Sequence, residues 1–157
     1  MKKKIIGIDP GSAGGIAVID AADGHVCQVD NMPSTDAFAD IYEYLAAIAD
    51  DARCCILEDV GHGMPGQSSS ATAKFARHNG HLEMALYALK IQTVKVTPQK
   101  WQKVYQLGKS SQYSKTEWKN RLKAKAQQLF PELGKKVTLK TADALLLARY
   151  GWQMKMF

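Results

Sequence analysis

Three short β-branched runs at the start of the chain constrain the fold most strongly, because turn residues close the first two of them. The runs are Lys4–Asp9, Gly15–Asp20 and 25–29. The first ends at Pro10-Gly11-Ser12 and the second at Asp23-Gly24, and both sequences favour tight turns. Short runs joined by tight turns pair with their neighbours in sequence, so we predict an antiparallel meander.

Helices and strands alternate after the meander. Apolar spacing predicts a helix over 35–49, capped by Ser34 or Thr35, and a longer helix over 70–89. Two apolar runs, 54–58 and 91–96, predict strands. The first of these is apolar enough to be covered on both faces.

Three more helical segments complete the pattern. Thr97-Pro98 opens a short helix. Ser114 caps another helix, with Glu117 in the capping-box position. A loop over 131–137 precedes a last helix over 140–152. This order predicts an α/β fold in which a five-stranded mixed sheet is flanked by helices. At 157 residues we expect a single domain, 1–157.

Each longer helix has an apolar face that we expect to pack in the core. In the first helix it comprises Phe38, Ile41, Tyr42, Leu45 and Ile48. In the second it comprises Phe75, Leu82, Leu86 and Leu89. In the helix after Ser114, inward-facing residues alternate with outward-facing ones: Trp118, Leu122 and Leu129 inward, and Lys119, Arg121, Lys123 and Lys125 outward.

The composition, 46% hydrophobic and 23% charged, is that of a soluble globular protein. No stretch approaches the twenty apolar residues of a membrane span, and Asp9 interrupts the first apolar run too early for a signal peptide. We therefore expect a cytoplasmic protein without a membrane partner. Cys27, Cys54 and Cys55 form no CxxC pair, which favours buried free thiols over a disulfide or zinc site.

The net charge of +6 is concentrated in one part of the chain. Between residues 95 and 136 lysine and arginine are frequent, whereas Glu117 and Glu132 are the acidic residues. A basic region of this kind usually meets phosphate. A solvated helix face explains the same charge equally well, so charge alone leaves the partner open.

Three carboxylates stand at positions that suit metal binding. Asp9 ends the first strand, Glu58 ends the fourth, and Asp143 lies in the first turn of the last helix. Each has a simpler role on its own, as a turn cap, an acceptor of backbone N–H groups or a partner of the helix dipole. Together they could bind Mg²⁺, with Mn²⁺ able to substitute, and paired ions of this kind hydrolyse phosphodiesters.

Four ordered motifs resemble one nuclease family. They are Ile-Gly-Ile-Asp-Pro-Gly-Ser at 6–12 with Gly-Ile-Ala-Val-Ile at 15–19, Glu-Asp-Val at 58–60, Ser-Ala-Thr-Ala-Lys-Phe at 70–75 with His-Asn-Gly at 78–80, and Thr-Ala-Asp-Ala-Leu-Leu-Leu-Ala at 141–148. In this order they resemble the motifs of RuvC-type Holliday junction resolvases over nearly the whole chain.

The resemblance implies an RNase H-like fold, a homodimer and paired Mg²⁺-dependent cuts across four-way DNA. It implies that Lys103 and Lys115 lie near the scissile phosphate, and that part of the apolar stripe of the 70–89 helix contacts the second subunit. We also expect DNA contacts from Lys74 and Arg77 on that helix. In the preceding glycine-rich loop we expect contacts from His62 and an apolar wedge from Met64.

Lys140 departs from the family pattern, which commonly has an aspartate or histidine three residues before the last aspartate. At i and i+3 of a helix, Lys140 and Asp143 would share a face. Protonated lysine cannot ligate a metal. We therefore expect Lys140 to act as a catalytic cation near the phosphate, and the number of bound ions stays open.

Two other kinds of function fit part of the sequence. A non-catalytic dimer that binds branched DNA would use the basic region, but three acids facing DNA weaken binding unless metal offsets them. An actin-like ATPase module also ends its first strand in aspartate, but it needs two domain copies. Forks or flaps are alternative substrates, and the sequence identifies no partner such as a branch-migration motor.

We do not expect His78 and His81 to bind a metal, because no acidic or cysteine residues with zinc-ligand spacing lie near them.

Overall fold

The computed structural model describes residues 1–61 and 66–157. Five strands of this part of the chain form one mixed sheet in the order β3-β2-β1-β4-β5. They are β1 (Lys4–Asp9), β2 (Gly15–Asp20), β3 (Val26–Asn31), β4 (Ala52–Glu58) and β5 (Thr93–Val96). The first three form the predicted antiparallel meander, β4 pairs in parallel with β1, and β5 pairs in parallel with β4. The predicted five-stranded mixed sheet is confirmed.

Helices cover both faces of the sheet. They are α1 (Phe38–Ala49), α2 (Ser69–Ala88), α3 (Pro98–Lys103), α4 (Lys115–Leu129) and α5 (Ala142–Gln153). Ser114 caps α4, and the Glu117 side chain completes the predicted capping box. None of the helices in the described ranges is long and apolar enough to cross a membrane.

Some predicted segments differ from the structure at their ends or in their conformation. Helix α1 begins at Phe38, without a side-chain cap, because 34–37 form a turn in which Ala37 N–H donates to the Ser34 carbonyl. The 131–137 loop contains a 3₁₀ segment, Pro131–Lys136. Helix α5 begins only at Ala142, because hydrogen bonds of the Thr141 hydroxyl with the Thr138 N–H and the 136 carbonyl hold the preceding residues in a turn.

The sheet separates two hydrophobic clusters, because successive strand residues point to opposite faces. On one face Ile5, Ile19 and Ile56 pack against α3, α4 and α5. On the other face Ile6, Ile8 and Leu57 meet α1 and α2. Strand β4 is buried along most of its length, which confirms that both of its faces are covered.

Two predicted core positions of α1, Phe38 and Tyr42, are exposed instead. Ile41, Leu45, Leu82 and Leu86 are buried as expected. Phe38, however, is 62% exposed, because it lies in the first turn of α1 and its ring rests against the half-buried His81.

The cysteines differ in burial. All three are free thiols, and Cys54 and Cys55 are buried as predicted. The prediction that Cys27 is buried is wrong, because Cys27 lies on the edge strand β3, where Val26 and Val29 are partly buried and the other side chains are exposed.

Candidate metal centre

Asp9, Glu58 and Asp143 come together at one edge of the sheet. Asp9 is the last residue of β1 and Glu58 the last of β4. These strands are parallel neighbours, with Ile8 beside Leu57, so their final carboxylates reach the same edge. Asp143 joins them from the first turn of α5, and one oxygen of each carboxylate lies within 4.8 Å of the others. The structure thus brings the three predicted carboxylates together.

Glycine residues allow α5 to approach the sheet closely enough to place Asp143. A Cβ atom added at Gly7, in the middle of β1, would collide with the Ala144 carbonyl oxygen and lie 2.5 Å from the Ala148 backbone nitrogen. A Cβ at Gly15 would lie 2.6 Å from the Lys140 carbonyl oxygen. Helix α5 and the turn before it therefore rest directly on the backbone of the first hairpin, which fixes Asp143 beside Asp9.

Burial shifts the pKa of each of the three carboxylates upwards. Asp9 and Glu58 are 8% and 6% exposed, and Asp143 is partly exposed. Burial is the largest cause and, with the charge of Asp143, raises the pKa of Glu58 to about 7 and that of Asp9 well above its usual value. Burial also raises the pKa of Asp143 to about 6.

This donor set fits a divalent ion. Three clustered carboxylates without a cation repel one another, so part of the cluster holds protons at neutral pH. A bound cation would favour the ionised forms and take the carboxylate oxygens that Mg²⁺ and Mn²⁺ prefer. Asp9, Glu58 and Asp143 are therefore the residues that could hold such an ion.

Trp101 contacts the centre, although sequence reasoning did not identify it. Its indole N–H donates to Glu58 Oε2 over 2.7 Å, and its side chain is fully buried. This hydrogen bond opposes the effect of burial on the pKa of Glu58, and it occupies one of the two carboxylate oxygens. The tryptophan thus orients Glu58 towards the other two acids.

Lys119 is a second residue that sequence reasoning missed. The apolar pattern of α4 placed it only on the outward face, yet its side chain is half-buried and its positive charge lowers the pKa of all three carboxyls against the effect of burial. It lies four residues after Lys115, one helical turn along the same face. That spacing is the sequence feature that could have identified Lys119.

Lys140 differs from its predicted setting. It precedes α5 by two residues, so the expectation that it shares a helix face with Asp143 is wrong. Its side chain is exposed, and its backbone N–H donates to the Thr138 hydroxyl over 3.2 Å. The turn at 138–141, rather than a helical repeat, sets the direction of this lysine.

The other predicted DNA-binding cations lie on the surface. Lys103 ends α3 and Lys115 begins α4, whereas Lys74 and Arg77 lie on α2. All four are exposed, and Lys74 Nζ lies 3.8 Å from an Asp36 carboxylate oxygen. The remaining two predicted contacts, His62 and Met64, lie outside the described residues.

A second group of potential ligands lies at the opposite edge of the sheet, where Asp20, His25 and Cys27 approach within 4.8 Å. The Lys4 ammonium group donates to Asp20 over 3.0 Å and to the Cys27 sulfur over 3.1 Å. A lysine already supplies positive charge to this group, so it is a poorer candidate for metal than the carboxylate centre.

Comparisons with solved structures identify the fold. Thermus thermophilus RuvC in complex with a Holliday junction substrate superposes with a TM-score of 0.72, covering 98% of this chain and 96% of that chain at 12% identity. The chain has the RuvC fold. A second RuvC structure from the same organism gives a TM-score of 0.65 at 13% identity over the same coverage. No family model matches the sequence, and no curated protein matches it.

Proposed function

We propose that the chain is a metal-dependent endonuclease that cuts four-way DNA junctions, with residues 1–157 as its single nuclease domain. The observation that carries the proposal is the convergence of Asp9, Glu58 and Asp143 at the end of two parallel strands. Its setting in the RuvC fold supports the choice of substrate, since the RuvC structure that superposes was solved with a Holliday junction. A cytoplasmic location is part of the same proposal.

The three acids are proposed to hold Mg²⁺ or Mn²⁺. Bound there, divalent ions would lower the pKa of a water nucleophile and stabilise the charge on the leaving oxygen. Trp101 keeps Glu58 oriented through its 2.7 Å hydrogen bond, and α5 keeps Asp143 next to Asp9. Since burial raises the pKa of each acid, the protein must release protons before all three can serve as ligands.

Lysine side chains are proposed to hold the DNA and to stabilise the negative charge of the reacting phosphate. Lys119 is the best placed for the second role, because its charge already acts on the three carboxylates. Lys140 is proposed as a further cation beside the phosphate. We propose that four exposed cations contact the DNA backbone, namely Lys74, Arg77, Lys103 and Lys115. We propose that His62 and Met64 contact the bases.

A homodimer would supply the two cuts that a four-way junction needs, because two-fold symmetry places one active site on each of two opposed strands. A candidate contact face is formed by exposed apolar side chains of α1 and α2, namely Phe38, Tyr42, Met84 and Tyr87. The Leu82 and Leu86 side chains of the predicted stripe are already buried within the protomer, so they do not serve this contact.

Cleavage of a synthetic four-way junction beside a linear duplex of equal length tests the proposal. With Mg²⁺ we expect paired nicks at symmetry-related positions in the junction, an intact duplex, and no cutting of either DNA in EDTA. Tight junction binding without cutting in any divalent ion would instead indicate a non-catalytic junction-binding protein.

Replacing Asp9 with asparagine tests the carboxylate centre. Asp9→Asn should abolish cutting while junction binding in EDTA stays equal or tightens, because asparagine, unlike aspartate, cannot place a negative charge at the DNA surface. Asp50→Asn is the matched control, since Asp50 is exposed and caps the far end of α1. Cutting by Asp9→Asn at the rate of the control would remove Asp9 from the mechanism.

A further inference from the structure

A cavity of about 480 Å³ lies on the α2 side of the sheet, next to the turn that follows Asp9. It lies between the β1–β2 turn, the segment after β3 and the first half of α2, and Gly11 and Ser12 form part of its wall. Two residues of chain span at most about 7 Å. Gly11 is therefore close to Asp9, and a nucleotide whose phosphate lies at the carboxylates can reach the cavity.

His78 lies at the cavity wall with unused hydrogen-bonding capacity. Its side chain is 1% exposed, and within residues 1–61 and 66–157 neither ring nitrogen has a hydrogen-bond partner. Burial, helped by the nearby His81, lowers its pKa and keeps the imidazole neutral. A neutral imidazole presents one donor and one acceptor. Buried polar groups are nearly always paired, so this pair of atoms suggests a ligand with a complementary edge.

Phe75 gives the cavity an aromatic wall. Its ring lies 3.3 Å from the position that a Cβ atom would take at Gly11, so it rests against the turn that follows Asp9. Its centroid is 6.5 Å from that of His78, and the two rings meet edge-on at 67°. Phe75 is only partly buried, which leaves ring surface available for stacking.

The rim of the cavity carries one positively and one negatively charged side chain. Lys74 and Asp36 line it, and their charged groups are 3.8 Å apart. Both side chains are largely exposed, so neither carries its charge into the interior. A phosphate would meet Lys74 only at the rim, while an uncharged group is better suited to the interior.

We propose that this cavity binds one unpaired nucleobase of the branched DNA, stacked on Phe75 and hydrogen-bonded to His78. The inference rests on the proposed function and adds a base-binding subsite to it. A nucleobase combines a flat aromatic face with an edge that carries donors and acceptors, which is the combination these two side chains recognise. The adjoining phosphate would then lie between Lys74 and the carboxylate centre.

A double-mutant cycle between a base and a side chain tests the subsite. The full chain is titrated, in EDTA, with synthetic four-way junctions that are either intact or abasic at one of the nucleotides flanking the crossover. On the intact junction we expect Phe75→Leu and His78→Leu to weaken binding by about tenfold, the range of one base–aromatic contact. On the junction that is abasic at the bound position, both substitutions should have little further effect, because the partner is already missing.

His25→Leu is the matched control, because His25 is exposed on the far edge of the sheet and makes no contact with the cavity. If His78→Leu does not fold, Phe75→Leu, at a half-buried position, carries the same cycle. Equal losses on the intact and all abasic junctions would overturn the subsite and leave a cavity without a DNA role. A wild-type chain that binds and cuts junctions without this coupling contradicts the subsite alone, whereas one that neither binds nor cuts them contradicts the proposed function as well.

Discussion

Replacing Trp101 with phenylalanine would remove one hydrogen bond from the metal centre while keeping an aromatic ring in the core. The indole N–H donates to Glu58 Oε2 over 2.7 Å, and phenylalanine has no donor at that position. Trp101 is fully buried and Glu58 is 6% exposed, so solvent cannot readily replace the lost donor. The substitution should therefore destabilise the ionised form of Glu58.

The size of the effect follows from the hydrogen bond. A hydrogen bond to a charged group contributes about 1.5–3 kcal/mol. Since a pKa change of one corresponds to about 1.4 kcal/mol, its loss should raise the pKa of Glu58 by about 1 to 2 above its present value of about 7. Metal binding requires the ionised carboxylate, so the variant should need about tenfold more Mg²⁺ at pH 7.

The assay is the rate of junction cleavage against Mg²⁺ concentration at pH 7 and pH 9. Trp101→Phe should lose activity at pH 7 and regain most of it at pH 9, where Glu58 ionises without the indole. Trp152→Phe is the control, because the Trp152 N–H donates to the Ala21 carbonyl over 3.1 Å, away from the carboxylates. Equal Mg²⁺ requirements for the two variants at both pH values would refute the positioning role of Trp101.

Three further predictions concern stability and charge. Because folding raises the pKa values of the three carboxyls, the metal-free protein should lose thermal stability as pH rises from 5 to 8. Mg²⁺ should raise the melting temperature more at pH 8 than at pH 5. An Mg²⁺ effect that does not depend on pH would contradict this. Gly7→Ala should destabilise by about 1–3 kcal/mol or prevent folding, since its Cβ would meet α5, and urea denaturation measures this. Lys119→Gln should slow cutting at least tenfold more than Lys123→Gln, measured at equal junction occupancy. Lys123 is the control because it is also half-buried on α4. Equal cutting rates of the two variants would exclude a specific role of Lys119.

The positions of Asp9 and Glu58 could be predicted because they depend on local patterns. Each acid closes an apolar run, and a carboxylate at the end of a strand lies at the edge of the sheet whatever the details of packing. Their approach needs only that β1 and β4 be parallel neighbours, which the alternation of helices and strands favours. Asp143 is recognisable as an aspartate in the first turn of a helix, but its approach to Asp9 depends on the packing of α5 against Gly7 and Gly15.

The contacts of Trp101 and Lys119 could not be predicted in the same way. Trp101 is 43 residues from Glu58, and its indole reaches the carboxylate only because α3 packs beneath the sheet edge. Lys119 lies beside the inward-facing Trp118, and the apolar pattern alone does not say which way a half-buried lysine turns. For Lys140, a turn held by side-chain hydrogen bonds delays the start of α5 to Ala142, two residues later than the apolar spacing predicted.

Anomalous diffraction from crystals grown with Mn²⁺ tests the metal centre most directly. Our account predicts a manganese peak within coordination distance of Asp9, Glu58 and Asp143, and loss of that peak in Asp9→Asn crystals. Strong manganese density at the Asp20, His25 and Cys27 group, with none between the three carboxylates, would contradict the account.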